Sequence, residues 1–387
     1  MNKPMKILLL APHPFYQERG TPIAVDLLLT ALSKRGCKIE VITFHEGIDQ
    51  TYPNVAIHRI PNFSFIKGIG PGFSLKKIFC DVFVFFKALR QAMFNRPDVV
   101  HAVEESVYMA LVFRGLFQMP YVYDMDSSMA AQLVEKMPRL KPLRGFFQWW
   151  EGLAVRHAEI VIPVCQALAQ IAEKEGARSI RILNDISLLQ PNGSSAHLRR
   201  DYPTSGTVFM YIGNLESYQG IDLLIEAFAI AGSKKEMTLF IVGGIPEHIE
   251  KYRRLAANKD IGARVHLVGP RSPNLMSALF AEADVLVSPR IKGENTPMKI
   301  YSYLDSGKAV LATRLPTHTQ VIDPDAALLA DPTPDALAEG MLALAGQDAL
   351  RQQLAARAKN LVQQKYSRAA FEQTVNSIYN GLEKKFS

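Results

Sequence analysis

The segment from Arg290 to Ser302, RIKGENTPMKIYS, concentrates side chains suited to holding a phosphorylated ligand. Arg290, Lys292 and Lys299 bring positive charge, which matches a phosphate or diphosphate. Glu294 would repel such a guest, so its natural partner is a sugar hydroxyl beside the phosphates. The surrounding pattern supplies a frame for this chemistry. Asp284–Ser288 is a short apolar run expected to form a buried parallel strand, and Pro289–Asn295 a polar loop. Thr296 reads as an N-cap and Pro297 as the first helical residue, with Gly307 ending the helix and Ala309–Thr313 forming the next strand. That layout aims the free N–H groups of residues 296–300, Met298 and Ile300 among them, at a crevice above the strand tips, where an anion is stabilised.

The N-terminal half opens in a similar way. Lys6–Ala11 reads as a strand, a loop ending in Gly20 follows, and then come a helix over Ile23–Arg35 and a strand over Lys38–Phe44. With one glycine in its loop, this is not the dinucleotide-binding fingerprint. Strands over Asp98–His101 and Tyr121–Asp126 carry His101, Asp124 and Asp126 to their carboxyl ends, where open α/β sheets keep their reactive groups. Asp124 and Asp126 spell an Asp-x-Asp pair, but so short a motif in this architecture does not predict a metal site. Glu159–Val164 and Ile180–Asn184 complete the first alternation, and residues 190–206, where Pro, Gly and Ser cluster, read as a linker. The alternation then restarts. Strands are expected at Thr207–Gly213, Thr238–Val242 and Arg264–Val268, with helices at Ile221–Ala231, Pro246–Asn258 and Pro273–Ala283. The fold class is therefore α/β, with two Rossmann-like, doubly wound parallel sheets.

At these residues a resemblance becomes specific. The Asp284–Thr313 stretch resembles the donor-site segment of family 4 glycosyltransferases, retaining enzymes of the GT-B fold, in which Glu-x7-Glu precedes a small-residue turn ending Gly-Lys-Pro-Val. Aligned on Gly307–Lys308, the first glutamate is Glu294 and the second position is Ser302. YIGNLESYQGIDLLIEAF resembles the family's Gly-Arg-Leu…Lys-Gly segment; Gly213 is kept, while Asn214 and Gln219 stand where Arg and Lys would grip the diphosphate. Gly20 matches the family's glycine loop and His101 a histidine common at that strand end, whereas Asp126 occupies the place of a histidine that faces donor sugar and acceptor.

The resemblance implies two domains facing across a cleft: residues 1–189, joined by a returning helix over 368–387, and a nucleotide-sugar-binding domain over 207–367. It implies transfer of a sugar, with retention and without a required metal, from a nucleotide sugar such as a UDP- or GDP-sugar. The resemblance is silent on the acceptor; a glycan or, if the Phe63–Arg96 surface faces a membrane, a lipid-linked acceptor is expected, in polysaccharide or glycolipid assembly. Glu294, Asp126 and His101 are the implied catalytic residues. Donor binding is expected at Gly20, Gly213, Asn214, Gln219, Arg290, Lys292, Glu294, Thr296, Met298, Lys299, Ile300 and Ser302, with Arg290 and Lys292, or the helix start at residues 296–300, replacing the two lost cations. The departures at Asn214, Gln219, Ser302 and Asp126 keep open a non-catalytic GT-B binding subunit. An epimerase or hydrolase acting on a nucleotide sugar, using Asp124, Asp126 and Glu294, is the other alternative.

At 387 residues and 48% hydrophobic content, the chain can bury two cores. A formal net charge of +7 favours anionic partners, but no nucleic-acid-binding signature accompanies it. Cys37, Cys80 and Cys165 are scattered without paired spacing, which argues against disulfides and zinc and suits a cytoplasmic setting. The apolar start reads as a strand rather than a signal peptide, and no apolar run approaches the ~20 residues of a membrane span. Phe63–Arg96 is unusually rich in Phe and Lys. Drawn on a helical wheel from Phe73, Lys76, Lys77, Asp81, Lys87, Arg90, Gln91 and Asn95 share one side, and Ile78, Phe79, Val82, Phe85, Phe86, Leu89 and Met93 the other. Two readings stand: a helix packed on the sheet with its lysines in solvent, or a basic aromatic surface that docks peripherally on the inner, cytoplasmic membrane leaflet. Trp149 and Trp150, beside Phe146 and Phe147, are expected in the core.

Overall fold

The computed structural model describes residues 4–70, 74–190 and 195–386; Phe73, where the wheel begins, and residues 191–194 of the expected linker lie outside them. The chain forms two compact units, residues 1–184 with 371–387, and residues 185–370.

In the first unit β1 (Lys6–Ala11), β2 (Lys38–Thr43), β3 (Val55–Arg59), β4 (Val99–Val103), β5 (Tyr121–Met125) and β6 (Ile160–Pro163) form a six-stranded sheet. Its order is β3-β2-β1-β4-β5-β6 and all its pairs are parallel. Helices shield both faces of such a sheet from water, which is why KILLLA and VVHAV are apolar runs rather than alternations. β3 was not foreseen: VAIHR lies on the edge, part-exposed, and so lacks the run that marks the inner strands. The order reverses between β1 and β4, and the segments leaving their carboxyl ends carry His13, Glu104 and Glu105. The final helix, Arg368–Phe386, packs in this unit through Phe371, Val375, Ile378, Tyr379 and Leu382. Ion pairs Lys34–Glu372 (2.8 Å) and Arg35–Glu383 (2.6 Å) flank that contact.

The helix Leu75–Asn95 corrects the wheel. Ser74 caps it, its hydroxyl accepting the Lys77 N–H at 3.2 Å. Its packed stripe is Cys80, Val84, Ala88 and Ala92, small residues spaced by four, which lets the helix lie close on the sheet. Lys77, expected in solvent, is buried with that stripe. Of the large apolar residues, Phe85 and Leu89 pack at the margin of the core, whereas Ile78, Phe79, Val82 and Met93 are exposed and Phe86 and Phe94 are 61% and 75% exposed, as the outward reading expects. Trp149 and Trp150 are also outside the core, on the exposed face of the Arg144–His157 helix beside Phe146.

In the second unit β7 (Thr207–Ile212), β8 (Met237–Val242), β9 (Val265–Gly269), β10 (Val285–Ser288), β11 (Ala309–Thr313) and β12 (Leu328–Ala330) repeat the topology, in the order β12-β11-β10-β7-β8-β9. The reversal now falls between β7 and β10. Residues 185–206 belong to this unit, not to the first domain or to a free linker. The Leu188 N–H donates to Ser302 Oγ at 3.3 Å, Leu198 is buried beside Val208 and Met210, and Ser205 and Thr238 exchange two hydrogen bonds.

Candidate functional site

The chemistry of the second unit gathers where its strand order reverses. β7 ends in Gly213, whose φ of +152° is open to glycine; a Cβ there would stand 2.9 Å from the Tyr211 hydroxyl and 3.1 Å from Lys299 Nζ. Lys299 Nζ donates to Gln219 Oε1 at 3.1 Å and lies 3.9 Å from the centroid of the Tyr211 ring. Burial, and then the nearby Arg290 charge, hold the Lys299 pKa well below the usual lysine value. Arg290 follows β10, its Nε donating to the Lys292 carbonyl at 2.6 Å and its guanidinium 5.2 Å from the Tyr218 ring. Burial lowers its pKa as well. Among the described residues neither cation has an ion-pair partner. Two desolvated positive charges thus share a strand-tip crevice with neutral neighbours, an arrangement that an anion would complete.

The loop that carries Arg290 is pinned from below. The Thr313 hydroxyl donates to the Arg290 carbonyl at 2.6 Å. Buried His318 bridges Ser288 Oγ (2.9 Å) and the Thr313 carbonyl (2.8 Å), and burial lowers its pKa to about 4, so it stays neutral. His318 and Tyr211 escaped the sequence reading; the polar ends Ser288 and Thr313 of two otherwise apolar strands were the available signal.

Several expected residues sit differently. The helix at this site is Lys299–Asp305, two residues later than Pro297 predicted, and it has no side-chain cap. Thr296 is buried and its hydroxyl accepts from Gln320 Nε2 (3.0 Å), which also donates to the Glu294 carbonyl (2.8 Å). Charge from Lys299, rather than the dipole of a seven-residue helix, therefore dominates the crevice. Met298 sits at the helix entry, and Ile300 is core, able to offer only its backbone. Ser302 is buried, with its oxygen taken by the Leu188 amide. Lys292 and the Glu294 carboxylate are exposed on the loop. Asn214 is exposed, its Nδ2 donating to the Tyr218 hydroxyl at 3.3 Å.

Beside this cluster, a cavity of about 400 Å³ lies over the tips of β7, β8 and β9, lined by Gly213, Asn214, Gly243, Gly244, His248 and Arg271 among others. Gly243 has φ +113°, and a Cβ on it would fall 2.1 Å from the Gly213 carbonyl oxygen. The two glycines let adjacent strand tips close up and leave room above. Gly243 and Gly244 were not singled out from sequence, although a Gly-Gly pair directly after a buried strand was visible.

In the first unit His101 is fully buried. Its Nε2 donates to Asp124 Oδ2 (3.1 Å), since a carboxylate can only accept, and its Nδ1 meets the Tyr379 hydroxyl at 2.8 Å. It ties β4, β5 and the final helix together, and Asp124 is engaged there. Asp126 follows β5, half-buried. Gly20 begins the helix Gly20–Lys34, and a Cβ there would meet nothing within 4 Å, so the protein's own packing does not require the glycine. Among the described residues, no His, Cys, Asp or Glu cluster could hold a metal ion.

A family model described as "Glycosyl transferases group 1" matches residues 199–361, and one described as "Glycosyl transferase 4-like domain" matches residues 19–183. The chain is a group 1 glycosyltransferase of the GT-B type. This glycosyltransferase is 27% identical to the lipopolysaccharide 1,2-N-acetylglucosaminetransferase of Salmonella typhimurium, in a match covering 61% of the chain and 66% of that relative. Among solved structures it resembles sucrose-phosphate synthase from Thermosynechococcus elongatus (18% identity, TM-score 0.79, covering 98% of this chain and 100% of the other). It also resembles Anabaena HepE, solved with UDP (17% identity, TM-score 0.74, covering 97% and 100%). At such identities these structures establish the shared fold.

Proposed function

We propose that this glycosyltransferase moves a hexose from a UDP-sugar, with retention at the anomeric carbon and without a required metal, onto an acceptor in surface glycan or glycolipid assembly. The observation that carries the donor side is the pair of desolvated cations, Lys299 and Arg290, beside Gly213 and Gln219. Diphosphate oxygens fit between them, and the cavity over β8 and β9 has room for the nucleoside. As the bond to the sugar breaks, negative charge grows on the leaving phosphate, and fixed positive groups there favour the transition state. They supply in protein form the charge that a divalent ion supplies in other nucleotide-sugar enzymes. Glu294 would take a hydroxyl of the donor sugar and Asp126 would serve the acceptor side, while His101 acts as a positioning residue through Asp124. UDP is favoured over GDP because HepE, of the same fold, was solved with UDP, and a surface glycan because the Salmonella relative works on lipopolysaccharide.

The outward apolar residues of Leu75–Asn95, with exposed Lys76 and Arg90 on the same helix, support peripheral docking on an anionic membrane face. No helix among the described residues is long and apolar enough to cross a membrane. The test is a thermal-shift screen against UDP-, GDP-, ADP- and dTDP-sugars with and without EDTA, since a ligand of the native state raises apparent stability by mass action. A UDP-sugar shift that survives EDTA is expected. No shift with any donor would transfer the reading to a non-catalytic binding subunit.

A further inference from the structure

The first unit contains its own cavity, of about 380 Å³. Its lining comes from the segments that follow β4 and β5, from the start of the Leu75–Asn95 helix and from the Arg144–His157 helix. The walls are apolar and aromatic, with Tyr108 and Trp150 stacked at 6.1 Å between ring centroids. The floor is ionic. Lys77 Nζ lies 2.5 Å from Glu105 Oε1 and 3.5 Å from Glu104 Oε2, with Asp81 close enough to bear on its charge. Asp81 Oδ1 and Glu105 Oε2 are buried with no hydrogen-bond partner among the described residues. Burial first, and then neighbouring carboxylates, raise the pKa of both Asp81 and Glu105. Near neutrality such a floor can donate protons to hydrogen bonds as well as accept them.

Three features together narrow the guest. One ammonium among three carboxylates repels a phosphate, whereas hydroxyl groups satisfy both carboxylates and carboxylic acids. Flat aromatic walls suit the C–H face of a sugar ring. Ile78, Phe146 and Trp150, which line the cavity, also face outward and continue into the exposed strip of Phe79, Val82 and Phe86. The chain next to these lining residues is basic: Lys76 follows directly on Leu75 at the helix start, and Arg139, Lys141 and Arg144 precede Phe146; all four are exposed, and no acidic residue occurs between Met137 and Trp150. A free saccharide has no use for that apolar strip or for those cations; a sugar carried on a lipid at an anionic surface uses both.

We propose that this cavity seats the acceptor, and that the acceptor is a glycolipid whose sugar hydroxyls meet Asp81 and Glu105 while its apolar chain leaves past Ile78 and Phe146. The proposal rests on the reading of the chain as a sugar-transferring enzyme and names its acceptor class.

The full chain should be titrated with octyl glucoside held below its micelle concentration, with glucose, and with octyl phosphocholine. The two tryptophans of the chain are Trp150, which lines the cavity, and Trp149, which packs against it, so fluorescence reports binding, with calorimetry alongside. Octyl glucoside is expected to bind saturably, and each of the other probes about tenfold more weakly or worse. Ala130→Phe, which fills the cavity, should weaken octyl glucoside by about tenfold. Asp81→Leu, which replaces the carboxyl by an apolar group, should erase the preference for the glucoside over the phosphocholine. Equal binding of the two octyl compounds to the unaltered protein means an adventitious additive only, and overturns the proposal; so does glucose binding as tightly as its octyl form. If Ala130→Phe fails to fold, the Asp81→Leu selectivity decides. Loss of UDP-sugar binding with this selectivity intact would strike the donor reading instead.

Discussion

An ammonium pressed against an aromatic ring, near a second cation and offered only an amide oxygen, is a group whose environment improves when an anion arrives. Lys299 is in that state. The family pattern puts a cation at the position of Gln219, and the sequence pointed to Arg290 and Lys292, or to the helix start at residues 296–300, for its replacement. Only the fold shows that Lys299 reaches Gln219 whereas Lys292 stays in solvent. Lys299→Met should therefore remove a charge-assisted contact, ~1.5–3 kcal/mol, and weaken UDP binding by roughly ten- to a hundredfold. The same change should raise the melting temperature of the unliganded protein, because it relieves a desolvated charge with no countercharge. Lys292→Met should alter affinity by less than about threefold, as a solvated charge contributes ~0–1 kcal/mol. Calorimetry with UDP on the two variants separates them. Equal losses would mean that the loop charge, not the buried one, holds the phosphates.

The helix Leu75–Asn95 carries a different lesson, about which face of an amphipathic element is packed. A wheel ranks faces by hydrophobicity, so it left two readings: Ile78, Val82, Phe86 and Met93 in the core with the lysine face in water, or turned outward as a docking surface. The fold packs Cys80, Val84, Ala88 and Ala92, since small side chains allow the close approach to the sheet, with Phe85 and Leu89 at the margin of the core and Ile78, Val82, Phe86 and Met93 outside. Ala88→Leu should cost about 1–3 kcal/mol by overpacking, while Phe86→Gln should change stability by no more than ~0.5 kcal/mol. Phe86→Gln together with Val82→Gln should at the same time release the protein from anionic liposomes in a sedimentation assay at low salt. If Phe86→Gln destabilised the fold as much as Ala88→Leu, the outward assignment would be wrong. Inner strands, by contrast, were legible to within a residue or two, because burial on both faces leaves an unbroken apolar run such as LLLA in β1. The edge strands β3 and β12 were not, since neither the half-exposed VAIHR nor the three-residue LLA leaves a local signature; the helix at Lys299 was foreseen but starts two residues late, its Thr296 hydroxyl being taken by Gln320.

At the scale of the molecule, the repeated α/β alternation and the donor-side loop were readable from one sequence, while the ionic floor of the first unit was not. Its members come from a helix start (Lys77, Asp81) and from the segment after β4 (Glu104, Glu105), and only the topology of the sheet brings them together. That floor should also govern how stability depends on pH. Burial raises the folded-state pKa of Asp81 and Glu105 above their ordinary carboxylate values. A carboxyl with a raised folded pKa stabilises the fold fully below its unfolded pKa, and that contribution is lost as pH rises through the folded value. Buried His13 and His318, whose pKa values burial lowers to about 3 and about 4, act on the other side: their contribution is present above the unfolded histidine value and is lost as pH falls. Above about pH 7.5 the histidines contribute almost no slope, because the unfolded imidazoles are then neutral as well. Melting measured from pH 7.5 to 9 at constant ionic strength should therefore decline for the unaltered protein, by at most about 1.4 kcal/mol per pH unit for each proton released. Asp81→Asn, which keeps the shape and removes the titration, should flatten that decline and leave the acid limb below pH 6 in place. An unchanged alkaline slope in Asp81→Asn would show that the floor titrates as ordinary solvated carboxylates do, and the buried cluster would lose its place in the stability of the first unit.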